Sequence, residues 1–135
     1  MQQQPMFMKN PQDEYRKQGV LTASPVELIV MLYDGLKKDL FLAQRAIEKK
    51  DAAAAHTYLI KAQNIVAELA DCLDLSLPIS KDLMSFYEYI LHSLEVVNIQ
   101  KDATLIEPLL EMIGEMRETW SEVASTQKGS MSLEE

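Results

Sequence analysis

Two histidines, one cysteine and scattered carboxylates are the side chains of this sequence with the clearest chemical potential. Glu88 and His92 are four residues apart, so they share one face of a helix. A structural metal ion needs about four protein ligands, and one such pair does not supply them. A di-iron site in a helical bundle uses Glu-x-x-His pairs, and neither His56 nor His92 follows a glutamate at that spacing. We therefore predict no metal and no other cofactor.

His56 is also a candidate phosphate acceptor, because His-containing phosphotransfer bundles present one exposed histidine on a helix. Lys61 would supply a cation that steadies the phosphoryl group. The segment HTYLIKAQ, however, lacks the small residue and the glycine that follow the lysine in those proteins. A phosphotransfer or scaffolding bundle is therefore kept as the alternative function.

Cys72 is the remaining candidate nucleophile, and its surroundings argue against that role. Asp71 and Asp74 lie close in sequence, and their negative charge disfavours a thiolate. We expect Cys72 to be a small buried or half-buried side chain. The sequence also has no glycine-rich phosphate-binding loop. We predict that the protein is not an enzyme.

The composition is that of one folded domain. The chain has 135 residues, of which 47% are apolar and 25% are charged. Its net charge of −8 disfavours nucleic acid and anionic membranes as partners. The first ten residues predict no secretory signal, the apolar run 28–33 is too short to span a bilayer, and a single cysteine suits a reducing compartment. We expect a cytoplasmic protein.

Apolar residues recur every three or four positions in four segments, which are separated by short stretches without this pattern. They predict four helices at about 25–49, 52–75, 81–100 and 103–124. No segment alternates with the period of a strand. Short connections make neighbouring helices antiparallel, so we predict an all-α, up-and-down four-helix bundle over residues 25–125. Residues 1–24 would form an N-terminal arm or cap, and residues 126–135 a flexible tail. The predicted inward faces comprise Leu28, Leu32, Leu36, Leu40, Ala43 and Ile47; Ala55, Leu59, Ala62, Val66, Leu69 and Leu73; Leu83, Tyr87, Ile90, Leu94 and Val97; and Ile106, Leu109, Ile113, Trp120 and Val123.

Capping residues set the predicted helix ends. Ser24, followed by Pro25 and by Glu27 at the third position, predicts a capping box at the start of the first helix. Asp51 is the predicted N-cap of the second helix. Pro78 is expected to end that helix, and Ser80 to cap the third.

The fourth helix has two possible caps, and the first helix has an internal glycine. Asp102 or Thr104 would cap the fourth helix, and Pro108 predicts a late start or a slight bend. Gly35, inside the first helix, costs roughly 1 kcal/mol relative to alanine. Either a neighbouring helix packs closely against it, or it forms a notch that admits a partner helix.

The segment NPQDEYRKQGVLTASPVELIVMLYDGL resembles the opening of the flagellar export chaperone family FliS. Its elements are Asn10-Pro11, Tyr15, the block Thr22 to Pro25 and the block Met31 to Gly35. Further matches are AQNIVAELADCLDL, LMSFYEYILHSL, Asp102-Ala103 and a tryptophan near the end, so the resemblance covers about residues 10–123. It departs at Phe86, where the family usually has leucine, at LSLPIS, where it usually has a glycine-bearing loop, and at Val97, where it has alanine.

The resemblance implies a non-enzymatic chaperone that binds the C-terminal segment of flagellin, prevents its premature polymerisation and supports type III export. A second implied partner is the cytoplasmic domain of the export gate. The N-terminal arm, anchored by Tyr15, would cap part of the client groove. We expect a monomer or a weak homodimer. The residues projected from the motif as partner contacts are Tyr15, Leu28, Met31, Leu32, Gly35, Tyr87, Leu94, Asn98 and Trp120.

Overall fold

The computed structural model describes residues 24–134, with side chains described for residues 24–127. Within this range four α-helices pack against one another and no strand is present, which confirms the predicted all-α four-helix bundle. The arm proposed for residues 1–24, including Tyr15, lies outside the described residues except for Ser24. The helices are α1 (Pro25–Glu48), α2 (Ala52–Asp71), α3 (Pro78–Gln100) and α4 (Ile106–Glu134), with a short 3₁₀ turn at Ala103–Leu105.

The start of α1 has the predicted capping box. The Glu27 amide donates to the Ser24 hydroxyl at 3.1 Å, and the Ser24 amide donates to the Glu27 carboxylate at 2.8 Å. Pro25 occupies the first turn, where the missing N–H has no helical partner to lose. Asp51 caps α2 as predicted, because its carboxylate accepts from the Ala54 amide at 3.1 Å.

The connection between α2 and α3 differs from the prediction. α2 ends at Asp71 rather than near residue 75, and α3 begins at Pro78 rather than at residue 81. Proline is tolerated in the first turn of a helix, so Pro78 starts α3. Ser80 is consequently not a cap: it is buried inside the helix, and its hydroxyl donates to the Asp74 carbonyl at 2.6 Å.

Both ends of α4 also differ in detail. Asp102 caps the 3₁₀ turn by accepting from the Thr104 amide, and α4 starts only afterwards, so the late start predicted from Pro108 is confirmed. The proposed Thr104 cap of α4 is not formed. At the other end the helix continues to Glu134, ten residues beyond the predicted end, so residues 126–134 of the proposed tail are helical.

α1 lies at the centre of the packing. It packs closely against α2 on one side and α4 on the other, and α3 packs mainly against α2. The antiparallel register of α1 and α4 follows from two polar pairs. Asp34 lies opposite Arg117, and Gln44, ten residues later, lies opposite Glu107, ten residues earlier. In this register Pro25 lies level with Thr126, so the last eight residues of α4 extend beyond the start of α1.

The core consists of the predicted apolar faces, with exceptions at the ends of helices. Leu28, Ile47, Leu73, Leu83 and Trp120 are only half-buried, and Val123 is exposed. Among the described residues, no helix has the length and apolar character required to cross a membrane. The fully buried members of the predicted faces are Leu32, Leu36, Leu40, Ala43, Ala55, Leu59, Ala62, Val66, Leu69, Tyr87, Ile90, Leu94, Val97, Ile106, Leu109 and Ile113.

Candidate functional site

Among neighbouring helices of the bundle, α3 and α4 are the most widely separated pair, because they make almost no close backbone contact with each other. Polar pairs with α1 fix one flank of α4, at Glu107 and Arg117. On the other flank Met112, Met116 and Val123 follow one another at spacings of four and seven residues, so they form a single stripe. This stripe lies on the flank of α4 that faces α3.

The α3 side of this opening is marked by Phe86. The Asn98 amide contacts His56 of α2, which identifies the flank of α3 that faces α2. Phe86 lies about 120° from Asn98 around the helix, on the opposite side of the buried stripe of α3. Its ring contacts that of Tyr87, with 5.7 Å between centroids. We call the opening the α3–α4 furrow and define it by Phe86, Met112, Met116, Trp120 and Val123.

The inward apolar face of α4 becomes more exposed towards the C-terminal part of the helix. Ile106 and Ile113 are fully buried, Trp120 is half-buried, and Val123 is 37% exposed. Phe86, Met112 and Met116 are likewise only partly buried against the core. The furrow therefore has apolar walls that the described part of the chain does not fill with close helix packing.

Two buried tyrosines connect α1 to α3 in the core of the bundle. The hydroxyl groups of Tyr33 on α1 and Tyr87 on α3 lie 2.8 Å apart, and both side chains have at most 2% exposure. Burial raises the pKa of Tyr33 far above its ordinary value, with the neighbouring Tyr87 adding to the rise. Burial also raises the pKa of Tyr87, although the hydrogen bond from Tyr33 opposes this. Both groups stay neutral, and the pair joins α1 to α3.

Trp120 approaches the tyrosine pair from α4. Its indole N–H is close enough to the Tyr33 hydroxyl to oppose the rise in the pKa of Tyr33, but burial outweighs this effect. The indole nitrogen is nevertheless buried without meeting the geometry of a hydrogen bond to any described residue. Tyr33 is thus approached from α3 by Tyr87 and from α4 by Trp120, which locates it beneath the furrow.

Four of the residues projected as partner contacts belong to the interior. Leu32, Gly35, Tyr87 and Leu94 are buried, so a partner on the surface of this structure does not touch them. Burial of Gly35 means that it forms no open notch here. The other described residues of the set, Leu28, Met31, Asn98 and Trp120, are half-buried.

The half-buried residues lie in three different places. Trp120 belongs to the furrow, and Leu28 and Met31 lie near the start of α1, at the same end of the bundle as Val123. Asn98 lies on the α2 side of α3, away from the furrow. Its amide nitrogen is 3.0 Å from Nδ1 of His56, and its side-chain oxygen accepts from the Lys101 ammonium at 2.8 Å.

The residues with chemical potential do not assemble into a reactive site within the described range. No group of three or more His, Cys, Asp or Glu side chains there has the arrangement of a metal site. His56 is engaged with Asn98, and His92 is exposed. Cys72 is exposed, contrary to the prediction that it would be at least half-buried. Although the side chain is exposed, desolvation of the sulfur by neighbouring atoms and then the carboxylates of Glu68 and Asp71 raise the pKa of its thiol, which disfavours the reactive thiolate.

Several residues of the furrow were not among the projected contacts. Any single methionine is more often part of a core, so the sequence does not single out Met112 or Met116, and it predicts Val123 on the inward face of α4. The sequence signal that could identify the furrow is that the inward apolar face of α4 continues beyond Ile113, where the other helices no longer cover it fully. The close approach of Tyr33 to Tyr87 had no signal in sequence spacing, since 54 positions separate them.

Comparisons with known proteins identify the family of this chain. A family model described as flagellar protein FliS matches residues 8–127. The chain is 32% identical over 123 residues to the flagellar secretion chaperone FliS of Bacillus subtilis (strain 168), an alignment that covers 91% of this chain and 92% of the relative. It is also 32% identical over 109 residues to the flagellar secretion chaperone FliS of Salmonella typhimurium (strain LT2), covering 78% and 81% of the two chains. The chain therefore belongs to the FliS family of flagellar secretion chaperones.

Proposed function

We propose that this protein is a cytosolic, non-enzymatic chaperone that binds the C-terminal helical segment of flagellin in the α3–α4 furrow. Binding there keeps the segment from polymerising prematurely and supports its export by the flagellar type III secretion apparatus. The names of the two relatives support the chaperone role. The observation that carries the choice of site is the apolar stripe Met112, Met116 and Val123, which no closely packed α3 covers.

The chemistry of the furrow suits an apolar helix as its occupant. Phe86 and Trp120 offer large flat surfaces, and Met112 and Met116 offer unbranched thioethers that adjust to different partners. A helix laid in the furrow would complete the bundle packing that α3 and α4 leave unfinished. Because the client must become ordered on binding, the affinity reflects the apolar area buried minus the cost of that ordering.

The proposal assigns different roles to the residues projected from the motif. Trp120, Leu28 and Met31 are proposed client contacts because they are partly exposed at the end of the bundle where Val123 lies. Leu32, Gly35, Tyr87 and Leu94 support those contacts from the interior. Asn98 lies on another face and is proposed to act in the α2–α3 contact.

The remaining parts of the proposal concern partners beyond the furrow. Residues 1–24, with Tyr15 as anchor, are proposed to cap the client site before flagellin arrives. The cytoplasmic domain of the export gate is the proposed second partner. The chaperone itself is proposed to be a monomer or a weak homodimer.

A pair of surface variants tests the site. Val123→Asp places a carboxylate on the wall of the furrow, where client binding would bury it without a partner. We expect affinity for a flagellin C-terminal peptide, measured by titration calorimetry, to fall at least about tenfold. Phe41→Asp is the matched control because Phe41 is 48% exposed on α1, outside the furrow.

The outcome separates site from function. If the wild-type chain fails to bind the flagellin peptide at all, the proposed function is wrong. If it binds and Val123→Asp binds as tightly as Phe41→Asp, the client lies elsewhere on the bundle. Circular dichroism of both variants checks that each remains folded.

A further inference from the structure

The outer side of the α2–α3 hairpin is unusually apolar for a surface. Most of the large apolar side chains exposed within the described range lie on this hairpin and its loop. By contrast, within residues 24–127, Phe41 is the exposed large apolar residue of α1, and Val123 that of α4. The members on the hairpin are Ile60, Leu75, Leu77, Ile79, Tyr89 and Ile99.

Two depressions follow the seam between α2 and α3 on this outer side. One, of about 360 Å³, is lined by His56 and Gln63 of α2 and by Glu95 and Ile99 of α3, among others. The second, of about 500 Å³, lies at the loop and is lined by Leu75, Leu77, Met84 and Glu88, among others.

Four side chains of α3 connect the two depressions. Met84, Glu88, Glu95 and Ile99 are separated by four, seven and four residues, so they lie within about a sixth of a turn of one another around the helix. They form one continuous line of about 22 Å at the helical rise. We call this line, with the two depressions, the hairpin groove. It lies on the opposite flank of α3 from Phe86 and the furrow.

The charges of the hairpin groove change along its length. Its centre carries Glu88 and Glu95, both exposed and without an ion pair among the described residues. At one end the Lys101 ammonium is already held by the carbonyl and side-chain oxygens of Asn98. At the other end Lys81 is exposed. The groove therefore combines an acidic centre with the apolar residues Met84 and Ile99 on either side.

We propose that the hairpin groove binds an amphipathic helical segment of a partner protein, distinct from the client in the furrow. Charge complementarity defines the segment: two basic residues about two turns apart, to meet Glu88 and Glu95, between two apolar anchors for Met84 and Ile99. The two apolar anchors of the partner segment lie fifteen residues apart, as Met84 and Ile99 do on α3. The spacing is the same because two helices packed side by side have the same rise per residue. The order apolar, acidic, acidic, apolar reads the same in both directions, so the segment fits in either orientation.

A designed peptide serves as the probe. It is a labelled 20-residue alanine-based helix with leucine at positions 3 and 18 and arginine at positions 7 and 14. Its control has glutamate in place of both arginines. Fluorescence anisotropy with the full-length protein is expected to show binding of the arginine peptide, and at least fivefold weaker binding of the glutamate peptide. The affinity for the arginine peptide is expected to fall as salt is raised.

Two double variants locate the binding. Glu88→Gln with Glu95→Gln removes both central charges, and exposed ion pairs of this kind predict a loss of about fivefold in affinity for the arginine peptide. Glu111→Gln with Glu122→Gln is the matched control, because it removes two exposed carboxylates from α4. Ile99→Ser, at an 82% exposed position, is expected to weaken binding without unfolding the protein.

Several results would overturn the proposal. Absence of binding, equal binding of the two peptides, or equal losses in the two glutamine variants would each exclude a charge-matched helix. If sedimentation velocity shows a dimer that Ile99→Ser dissociates, the occupant is a second copy of this chain. If Glu88→Gln with Glu95→Gln weakens flagellin peptide binding as much as arginine peptide binding, the groove belongs to the client. The test with the arginine peptide needs no flagellin, so its failure is distinct from failure of the proposed function.

Discussion

Removing the hydroxyl group of Tyr87 is the most informative single change in the interior. The hydroxyl groups of Tyr33 and Tyr87 lie 2.8 Å apart, and both side chains are almost fully buried. Tyr87→Phe leaves the Tyr33 hydroxyl buried beside only the poorly aligned indole N–H of Trp120. A buried polar group that loses its partner costs about 1–3 kcal/mol, so the free energy of unfolding is expected to fall by that amount.

The double variant makes this reasoning sharper. Tyr33→Phe with Tyr87→Phe removes both hydroxyl groups and keeps both rings, whose centroids are 6.5 Å apart. With no polar group left unpaired between the rings, its loss of stability is expected to be smaller than the sum of the two single losses by about 1–2 kcal/mol.

Urea unfolding followed by circular dichroism measures these differences, and the single tryptophan of the chain, Trp120, gives a second probe by fluorescence. Tyr58→Phe is the control, because Tyr58 is half-buried and its ring contacts Lys61 rather than another hydroxyl group. A change within about 0.5 kcal/mol is expected there. Additive effects of Tyr33→Phe and Tyr87→Phe would refute the pairing, and so would single losses no larger than that of the control.

Three further predictions concern pH, capping and a surface ion pair. Because burial raises the pKa of Tyr33 and Tyr87, their contribution to the free energy of unfolding is fully present below the unfolded tyrosine pKa of about 10. Above pH 10 the free energy of unfolding should fall by up to about 1.4 kcal/mol per pH unit per tyrosine. If urea unfolding gave the same slope against alkaline pH for the wild type and for Tyr33→Phe with Tyr87→Phe, this prediction would be contradicted. Ser24→Ala should cost about 1 kcal/mol in urea unfolding and Ser24→Gly only a few tenths, whereas equal losses would argue against side-chain capping. Arg117→Ala breaks the exposed pair with Asp34 and should cost about 0.5 kcal/mol, less in high salt; a loss above about 2 kcal/mol that salt does not change would show that the pair is not a solvated one.

Local sequence rules predicted the helix starts only where one interpretation dominates. Ser24, Pro25 and Glu27 all indicate a helix start, and the capping box is present. Pro78 is ambiguous, because proline both ends a preceding helix and suits the first turn of the next. The prediction used the first property, and the structure shows the second, with Ser80 buried in the helix.

The end of α4 shows a different limit. Residues 126–134 were predicted to fray because they are small and polar. Polarity is not a stop signal for a helix, and this stretch contains good helix formers, among them Gln127, Met131 and Leu133, and no proline. The helix therefore continues to Glu134. To end α4 near residue 125, the sequence would need a proline there, or a glycine positioned to cap the helix at that point.

The candidate site was predictable as a composition but not as a location. Periodicity identifies residues that share a face, and it does so correctly for Leu32, Tyr87 and Leu94. It does not show which part of an apolar face a neighbouring helix covers. That depends on packing between residues distant in sequence. The resemblance to the family motif projects these core residues as contacts, and it does not project Met112 or Met116.

The positions of the tertiary anchors explain why the furrow stays open. α4 is attached to α1 through Asp34–Arg117 and Gln44–Glu107, on the flank of α4 away from α3. α3 is attached to α2 along their seam and to α1 through the tyrosine pair. None of these contacts draws α3 towards α4, so the gap follows from where the anchors lie. A client helix in the furrow would leave all of them intact, and its affinity would then depend on the apolar surface it buries, not on the cost of opening the bundle.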